Sequence, residues 1–346
     1  MEKINISDLT YDELLEYIEN IGEKKFHVKQ IFKWIHRENV DSFDEMTDIS
    51  KSLREKLKGN TYIEKLEVLT CQKSKKDGTQ KFLIKLPDNN AIESVFMVYN
   101  HGNTICVSTQ VGCKMGCKFC ASTKEGFVRS LLACEIEGQI HTVEKYTGQK
   151  ISNVVYMGIG EPLDNFDNVV KSIKLINDPN GLGIGARHIS LSTCGIVPKI
   201  YELAKENIQC TLSISLHATT DEKRQKTMPI ANRYSIKELI EACREYTKIT
   251  GRRISFEYAL IAGENDTHED AMELVKLLRG MIAHVNLIPV NEIKNGKYKK
   301  SNEKSIENFM NTLNSCGIVT TVRRTLGEDI DAACGQLRKK YIDNEL

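Results

Sequence analysis

The stretch Val111-Gly112-Cys113-Lys114-Met115-Gly116-Cys117-Lys118-Phe119-Cys120 decides how the chain is read. Its three thiols, spaced C-x3-C-x2-C, can all face inward from one short loop, and thiolates are the ligands that iron-sulfur clusters and zinc prefer. A closed zinc site takes a fourth ligand, usually another Cys or a His at short spacing. None follows: there is no His between Cys120 and Glu135, and Cys134 lies fourteen residues beyond Cys120. Three ligands suit a cubane cluster with one iron left open to a small molecule, and Gly112 and Gly116 let the backbone fold tightly around it. Two plainer readings stand beside this one. Free cysteines are often simply core, and Cys117 with Cys120 has the C-x-x-C spacing of a redox pair, which would leave Cys113 without a role.

Outward from this loop, the chain from about residue 101 alternates strand and helix. The pattern predicts strands at 104–109, 153–157, 188–192, 211–216, 254–260 and 285–289, helices near 134–146, 167–176, 198–206, 235–248, 268–280 and 303–315, and a last strand at 319–324. Six such units imply a parallel sheet closed, or partly closed, into a barrel. The cysteine loop then follows the first strand, Gly158-Ile159-Gly160-Glu161 the second, Ser192-Thr193-Cys194-Gly195 the third, Ser215-Leu216-His217 the fourth and Pro289-Val290-Asn291 the sixth. Each lies at a strand's C-terminal end, the rim where parallel α/β folds bind ligands. Other features have structural readings: Asp266 and Glu269 have the spacing of a capping box, and Cys71, Cys134, Cys194, Cys210, Cys243 and Cys316 read as packing residues.

Residues 1–62 read as helices only, a small accessory domain capped at Ser7-Asp8 or Thr10-Tyr11, with Trp34 as core. Residues 63–100 carry short alternating runs separated by Asp77-Gly78 and Pro87-Asp88-Asn89-Asn90, the signals of hairpins and hence of a β extension. Glu93 there reads as an exposed strand carboxylate. Residues 101–346 form the barrel and its C-terminal loop. A chain of 346 residues, 40% apolar, can bury one large core and a small accessory unit. Eleven cysteines without a leader sequence point to a reduced, soluble, cytoplasmic protein, and no apolar run reaches the roughly 20 residues of a membrane helix. A net charge of +1 does not advertise a polyanion partner. Basic residues do bunch at Lys24, Lys25, Lys29 and Lys33, at Lys73, Lys75 and Lys76, at Lys294 to Lys300 and at Arg338 to Lys340, which read first as solvated faces.

The cysteine loop, the GIGEPL segment at 158–163 and the ending Asp329-Ile330-Asp331-Ala332-Ala333-Cys334-Gly335-Gln336-Leu337 together closely resemble the RlmN family of radical-SAM RNA methyltransferases, over nearly the whole chain. The resemblance implies a partial (β/α)6 radical-SAM barrel with a small N-terminal helical domain and a β extension. It implies that Cys113, Cys117 and Cys120 hold a 4Fe-4S cluster, and that Gly160, Glu161, Ser192, Ser215, His217 and Asn291 hold S-adenosyl-L-methionine, two molecules of which are used per turnover. By the same likeness Cys334 carries the methyl group, Cys106 attacks the Cys334 sulfur to form a transient disulfide, and Glu93 accepts the proton from carbon 2 of the target adenine. The implied substrates are an adenosine of large-subunit ribosomal RNA and one next to the anticodon of tRNA. The expected electron donor is a flavodoxin or ferredoxin, the expected state a monomer, and no membrane is involved. Carbon 2 of adenine is electron-poor, so a one-electron route through the cofactor answers a chemical need. A related family methylates carbon 8 instead; Pro162 after GIGE matches the carbon 2 group, whereas Ala is expected in the other. A non-catalytic RNA-binding protein with a structural metal is the reading from another class.

Overall fold

Period-two alternation of apolar and polar residues builds one large sheet here, and period-3.6 stripes build the helices that cover it. The computed structural model describes residues 3–289, 298–330 and 336–342. At the N-terminus a short strand β1 (Ile4–Asn5) precedes helices α1 (Tyr11–Asn20), α2 (Phe26–His36) and α3 (Lys51–Asn60), and β2 (Thr61–Tyr62) pairs with β1 in parallel. The region is therefore not purely helical; two-residue strands are too short to show a period in the sequence. Thr10 caps α1 in a reciprocal box with Glu13. Leu14, Ile18, Val28, Ile31, Phe32, Ile35, Leu53 and Leu57 form the core of this part, and half-buried Trp34 packs against it.

Strands β3 (Glu67–Lys73), β4 (Gln80–Lys85), β5 (Ala91–Tyr99) and β6 (Gly102–Cys106) form an antiparallel meander. A small ribbon of β7 (Gln110–Gly112) and β8 (Phe127–Ser130) follows, then α4 (Ala133–Thr147), β9 (Asn153–Tyr156), α5 (Phe166–Asn177), β10 (Ile189–Thr193), α6 (Val197–Lys205) and β11 (Thr211–Ser215). The chain continues through α7 (Asp221–Thr227), α8 (Ile236–Thr250), β12 (Ile254–Leu260), α9 (His268–Leu278), β13 (Ala283–Pro289), α10 (Glu303–Ser315), β14 (Val319–Val322) and α11 (Gln336–Ile342). β6 and β9 to β14 run parallel in chain order, and β5, β4 and β3 extend the same sheet on the β6 side. The edge strands β3 and β14 do not pair among the described residues, so the barrel is partial.

The register sorts the two faces. Ile105, Val154, Tyr156, Leu191, Leu212, Ile214, Phe256, Val285 and Leu287 point one way and are buried with the helices. On the other face three rows run across the strands: Cys106, Val155 and Ser190; Ser192, Ser213 and Ser255; and Ser215, Glu257 and Asn286. The inner face of the barrel is thus polar, as a ligand cavity requires and a packed core does not.

α9 is capped by Thr267 with Asp270, one residue later than the Asp266–Glu269 spacing suggested; Asp266 instead accepts from Gly263 N at 2.9 Å and Ser301 Oγ at 2.7 Å, tying the loop together. Arg338 is buried, with Nε donating to Ala91 O at 2.9 Å, so it is no part of a solvated basic face. Cys316 follows the last turn of α10 and is exposed, where burial had been expected. Among the described residues no helix is long and apolar enough to cross a membrane.

Candidate active site

The cysteine loop is closed at its base by the β7–β8 ribbon. Cys113 N donates to Gly126 O at 2.9 Å. This contact requires glycine at 112: its φ is +77°, and a Cβ would lie 1.8 Å from Gly126 O. Gly112→Ala should force the ribbon apart and cost about 2 to 4 kcal/mol. The checks are a thermal melt and the iron content after reconstitution, both expected to fall; wild-type values would refute the reading. Lys118 N donates to Thr227 O at 2.9 Å, pinning the far side of the loop to α7. Cys113 and Cys117 are buried, Cys120 half-buried, and Met115, Phe119, Cys194, Met228 and Ile230 pack around Cys117. Burial pushes the Cys113 and Cys117 thiols up to about 12, and the charges of the neighbouring thiols add to this. Three converging thiols whose thiolate forms repel one another are the donor set of a cationic metal centre, which takes them deprotonated, and they fit an iron-sulfur cluster.

Next to the loop, Gly160 has φ +111°, and a side chain there would come within 2.7 Å of Thr109 and Gln110. The smallness of GIGE therefore serves the packing of this turn on Thr109 and Gln110 at the start of β7, and not only the approach of a ligand. Glu161 is buried and already engaged: Leu163 N donates to it at 3.0 Å and Cys194 N at 2.7 Å. Burial pushes its carboxyl upward and these bonds oppose the shift. Ser192 and Ser215 are half-buried on the inner face of β10 and β11. His217 follows β11 in a left-handed conformation, φ 58°. Its Nδ1 accepts from Ala259 N at 2.9 Å, and its ring meets Phe119 edge-on at 4.9 Å. Burial, with Arg224 nearby, lowers its pKa to about 3. The imidazole is therefore neutral with its proton on Nε2.

Glu93 is not the exposed carboxylate that its strand suggested. β5 is paired on both sides and α11 packs over it, so Glu93 is 3% exposed. It pairs with buried Lys81 at 3.0 Å and accepts from Arg338 N at 2.7 Å. Its backbone carbonyl receives Ser108 Oγ at 2.7 Å, and that hydroxyl accepts from Ile159 N, linking Glu93 to the GIGE turn. Cys106 is buried on the same face, against Val95, Met97 and Leu326. Asn291 and Cys334 lie outside the described residues.

Two family models match this chain: the ribosomal RNA large subunit methyltransferase N-terminal domain over residues 4–63, and the radical SAM superfamily over residues 107–275. A protein of Clostridium perfringens described as "Probable dual-specificity RNA methyltransferase RlmN" is 57% identical over 341 residues, covering 99% of this chain and 98% of the relative. One of Clostridium novyi with the same description is 56% identical over 340 residues, covering 98% and 99%. The chain belongs to the RlmN family. A crystal structure of a radical SAM methyltransferase from Sphaerobacter thermophilus superposes with a TM-score of 0.89 at 39% identity, covering 96% of this chain and 98% of that one. As a radical SAM enzyme, this RlmN family member uses S-adenosylmethionine and an iron-sulfur cluster, in keeping with its thiol trio.

Two further residues escaped the sequence reading. Glu257, on the inner face of β12, is 4% exposed; Asn286 Nδ2 donates to it at 2.9 Å and burial pushes its carboxyl upward. The Ser-x-Ser and Ser-x-Glu alternations of β10 to β12 carried this signal, since period-two polar residues in otherwise apolar strands mark a polar inner face. Arg224 of α7 is fully buried and donates to three carbonyls, Cys194 O at 2.6 Å, Ser215 O at 3.2 Å and Leu216 O at 3.2 Å. It ties the C-terminal ends of β10 and β11 together behind the cysteine loop. Nothing local in the sequence pointed to it.

Proposed function

We propose that this enzyme methylates carbon 2 of adenosine in large-subunit ribosomal RNA and in tRNA beside the anticodon. The observation that carries the reading is the anchoring of the tail. Leu326 packs against the cluster of Val95, Met97 and Cys106 on β5 and β6, Asp329 accepts from Ser74 Oγ at 2.6 Å in the β3–β4 turn, and Arg338 N donates to Glu93, so described residues on either side of Cys334 in the sequence contact the antiparallel end of the sheet. The names of the relatives support RNA as substrate, and Pro162 after GIGE supports carbon 2 over carbon 8.

Cys113, Cys117 and Cys120 would hold a 4Fe-4S cluster, and Gly160, Glu161, Ser192, Ser215, His217 and Asn291 would bind S-adenosylmethionine. Cluster and cofactor, the latter at two molecules per turnover, would supply the one-electron chemistry and the methyl carbon. The chain's own residues do the rest. The Cys334 thiolate, a strong nucleophile, takes the methyl and keeps it bonded to sulfur. Glu93 accepts the proton leaving carbon 2. Once the carbon carried on Cys334 is bonded to carbon 2, the Cys106 thiolate attacks the Cys334 sulfur; the sulfur-sulfur bond forms, the carbon-sulfur bond breaks, and its electron pair stays on the carbon, which takes up a proton to become the methyl group of the released RNA. Neutral His217 places an N–H donor at the rim without adding charge. The N-terminal helices with Lys24, Lys25, Lys29 and Lys33 form the RNA grip, and the target base is extruded from its loop to react. A flavodoxin or ferredoxin supplies electrons to a cytoplasmic monomer.

Cys334→Ala should abolish methylation while the iron content stays at the wild-type level, and Cys106→Ala should accumulate a covalent protein-RNA adduct. Gel shift and mass spectrometry of adenosines from both RNA pools read these outcomes. Turnover by Cys334→Ala, or 8-methyladenosine as the product, would sink the proposal.

A further inference from the structure

We infer that His36, Glu137 and His141 form a binding site for a divalent metal ion of the zinc class, joining the N-terminal helices to the barrel. The trio lies away from the cysteine loop. His36 sits in the last turn of α2, while Glu137 and His141, four residues apart, share one face of α4. His36 Nδ1 is 2.8 Å from Glu137 Oε2, and His141 Nε2 is 3.5 Å from Glu137 Oε1. One ligand atom from each residue lies within 4.8 Å of the other two, the single such group of His, Cys, Asp and Glu among the described residues.

Burial turns this cluster into a site. His36 is 1%, Glu137 2% and His141 8% exposed. Yet His36 Nε2 and His141 Nδ1 have no hydrogen-bond partner, and His141 Nε2 and Glu137 Oε1 face each other only at 3.5 Å, beyond a good hydrogen bond. Buried polar atoms without partners cost on the order of 1 to 3 kcal/mol each. Such atoms gathered in one place point to an occupant that takes electron pairs. Two imidazoles and a carboxylate match the donor preference of zinc and its neighbours, whereas calcium and magnesium prefer oxygen alone.

The ring of His36 is held by Phe32, with centroids 4.2 Å apart, so one ligand is already oriented. His36 and Glu137 also pair across the seam, and the Asn39 side chain reaches His141 O at 3.4 Å. A cavity of about 370 Å³, lined in part by Asn39, Glu64, Lys65 and Thr142, opens beside the trio and leaves room for a water as fourth ligand. A bound ion would clamp α2 to α4 and so fix how the N-terminal helices are presented to the rim.

The test uses the full-length holoenzyme with its iron-sulfur cluster in place, so that the cysteine loop is occupied. After equilibration with micromolar Zn2+ and dialysis, the wild type should retain one zinc per chain. Glu137→Gln and His141→Gln should retain at least tenfold less, with iron unchanged. Zinc-edge X-ray absorption of the wild type should show imidazole and oxygen scatterers at about 2.0 to 2.1 Å. This spectrum decides the matter even if the variants fold poorly. No retained zinc, equal zinc in Glu137→Gln, or a sulfur shell at about 2.3 Å, which would put the ion on the cysteines, each overturns the site.

Discussion

Cys117→Ala is expected to lose methylation to below detection while remaining folded. The thiol sits among Met115, Cys194, Met228 and Ile230 and makes no backbone contact that the Ala variant would lose, so removing one sulfur leaves a small void costing about 1 kcal/mol. A cluster held by Cys113, Cys117 and Cys120, as proposed above, would have no such tolerance, because three ligands leave nothing to spare. Iron per chain, the visible absorbance of the reconstituted protein and 2-methyladenosine formation should all collapse together, with an unchanged far-UV spectrum. Full iron content in the variant would mean that another residue closes the site, and the assignment of the trio would fall.

Arg224→Met should cost about 3 kcal/mol of stability. Methionine nearly fills the space but donates to none of the carbonyls of Cys194, Ser215 and Leu216. Each carbonyl left unpaired costs on the order of 1 kcal/mol or more. Against this stands the relief of removing a buried cation, whose pKa burial already lowers. Three lost acceptor bonds outweigh that relief. At about 2 to 4 °C per kcal/mol the melting temperature should drop by roughly 6 to 12 °C. Because these carbonyls end β10 and β11, affinity for S-adenosylmethionine should weaken as well, measured by calorimetry. A variant that melts within 2 °C of the wild type, on the order of 1 kcal/mol, would show that the arginine is dispensable there.

The residues legible in advance were those whose roles depend on neighbours along the chain. The spacing of Cys113, Cys117 and Cys120 is local, and so is the alternation that placed each motif after a strand; the order of the parallel strands then follows from right-handed βα units laid side by side. Where local signals compete the reading slipped by a residue, as at the α9 cap, because Asp266 and Thr267 are adjacent and both can cap a helix.

Other features depend on pairs far apart in the chain, and these only the folded molecule decided. Glu93 is buried because α11, some 245 residues later, packs over it. Arg224 matters because two strand ends converge on it, and His36 meets Glu137 across a separation of 101 residues. The polar inner face shows the division most plainly. Serines at period two are written in the strands, but which of their two faces turns toward the cavity is set by strand register and by the helices that cover the other side. Sequence alone determined the class of fold, the family and the spacing of the thiols in the cysteine loop; tertiary packing decided which carboxylates are buried, which cation braces the rim and which histidines meet. Chain connectivity imposes the first set, whereas the second follows from contacts that exist only after the sheet has assembled.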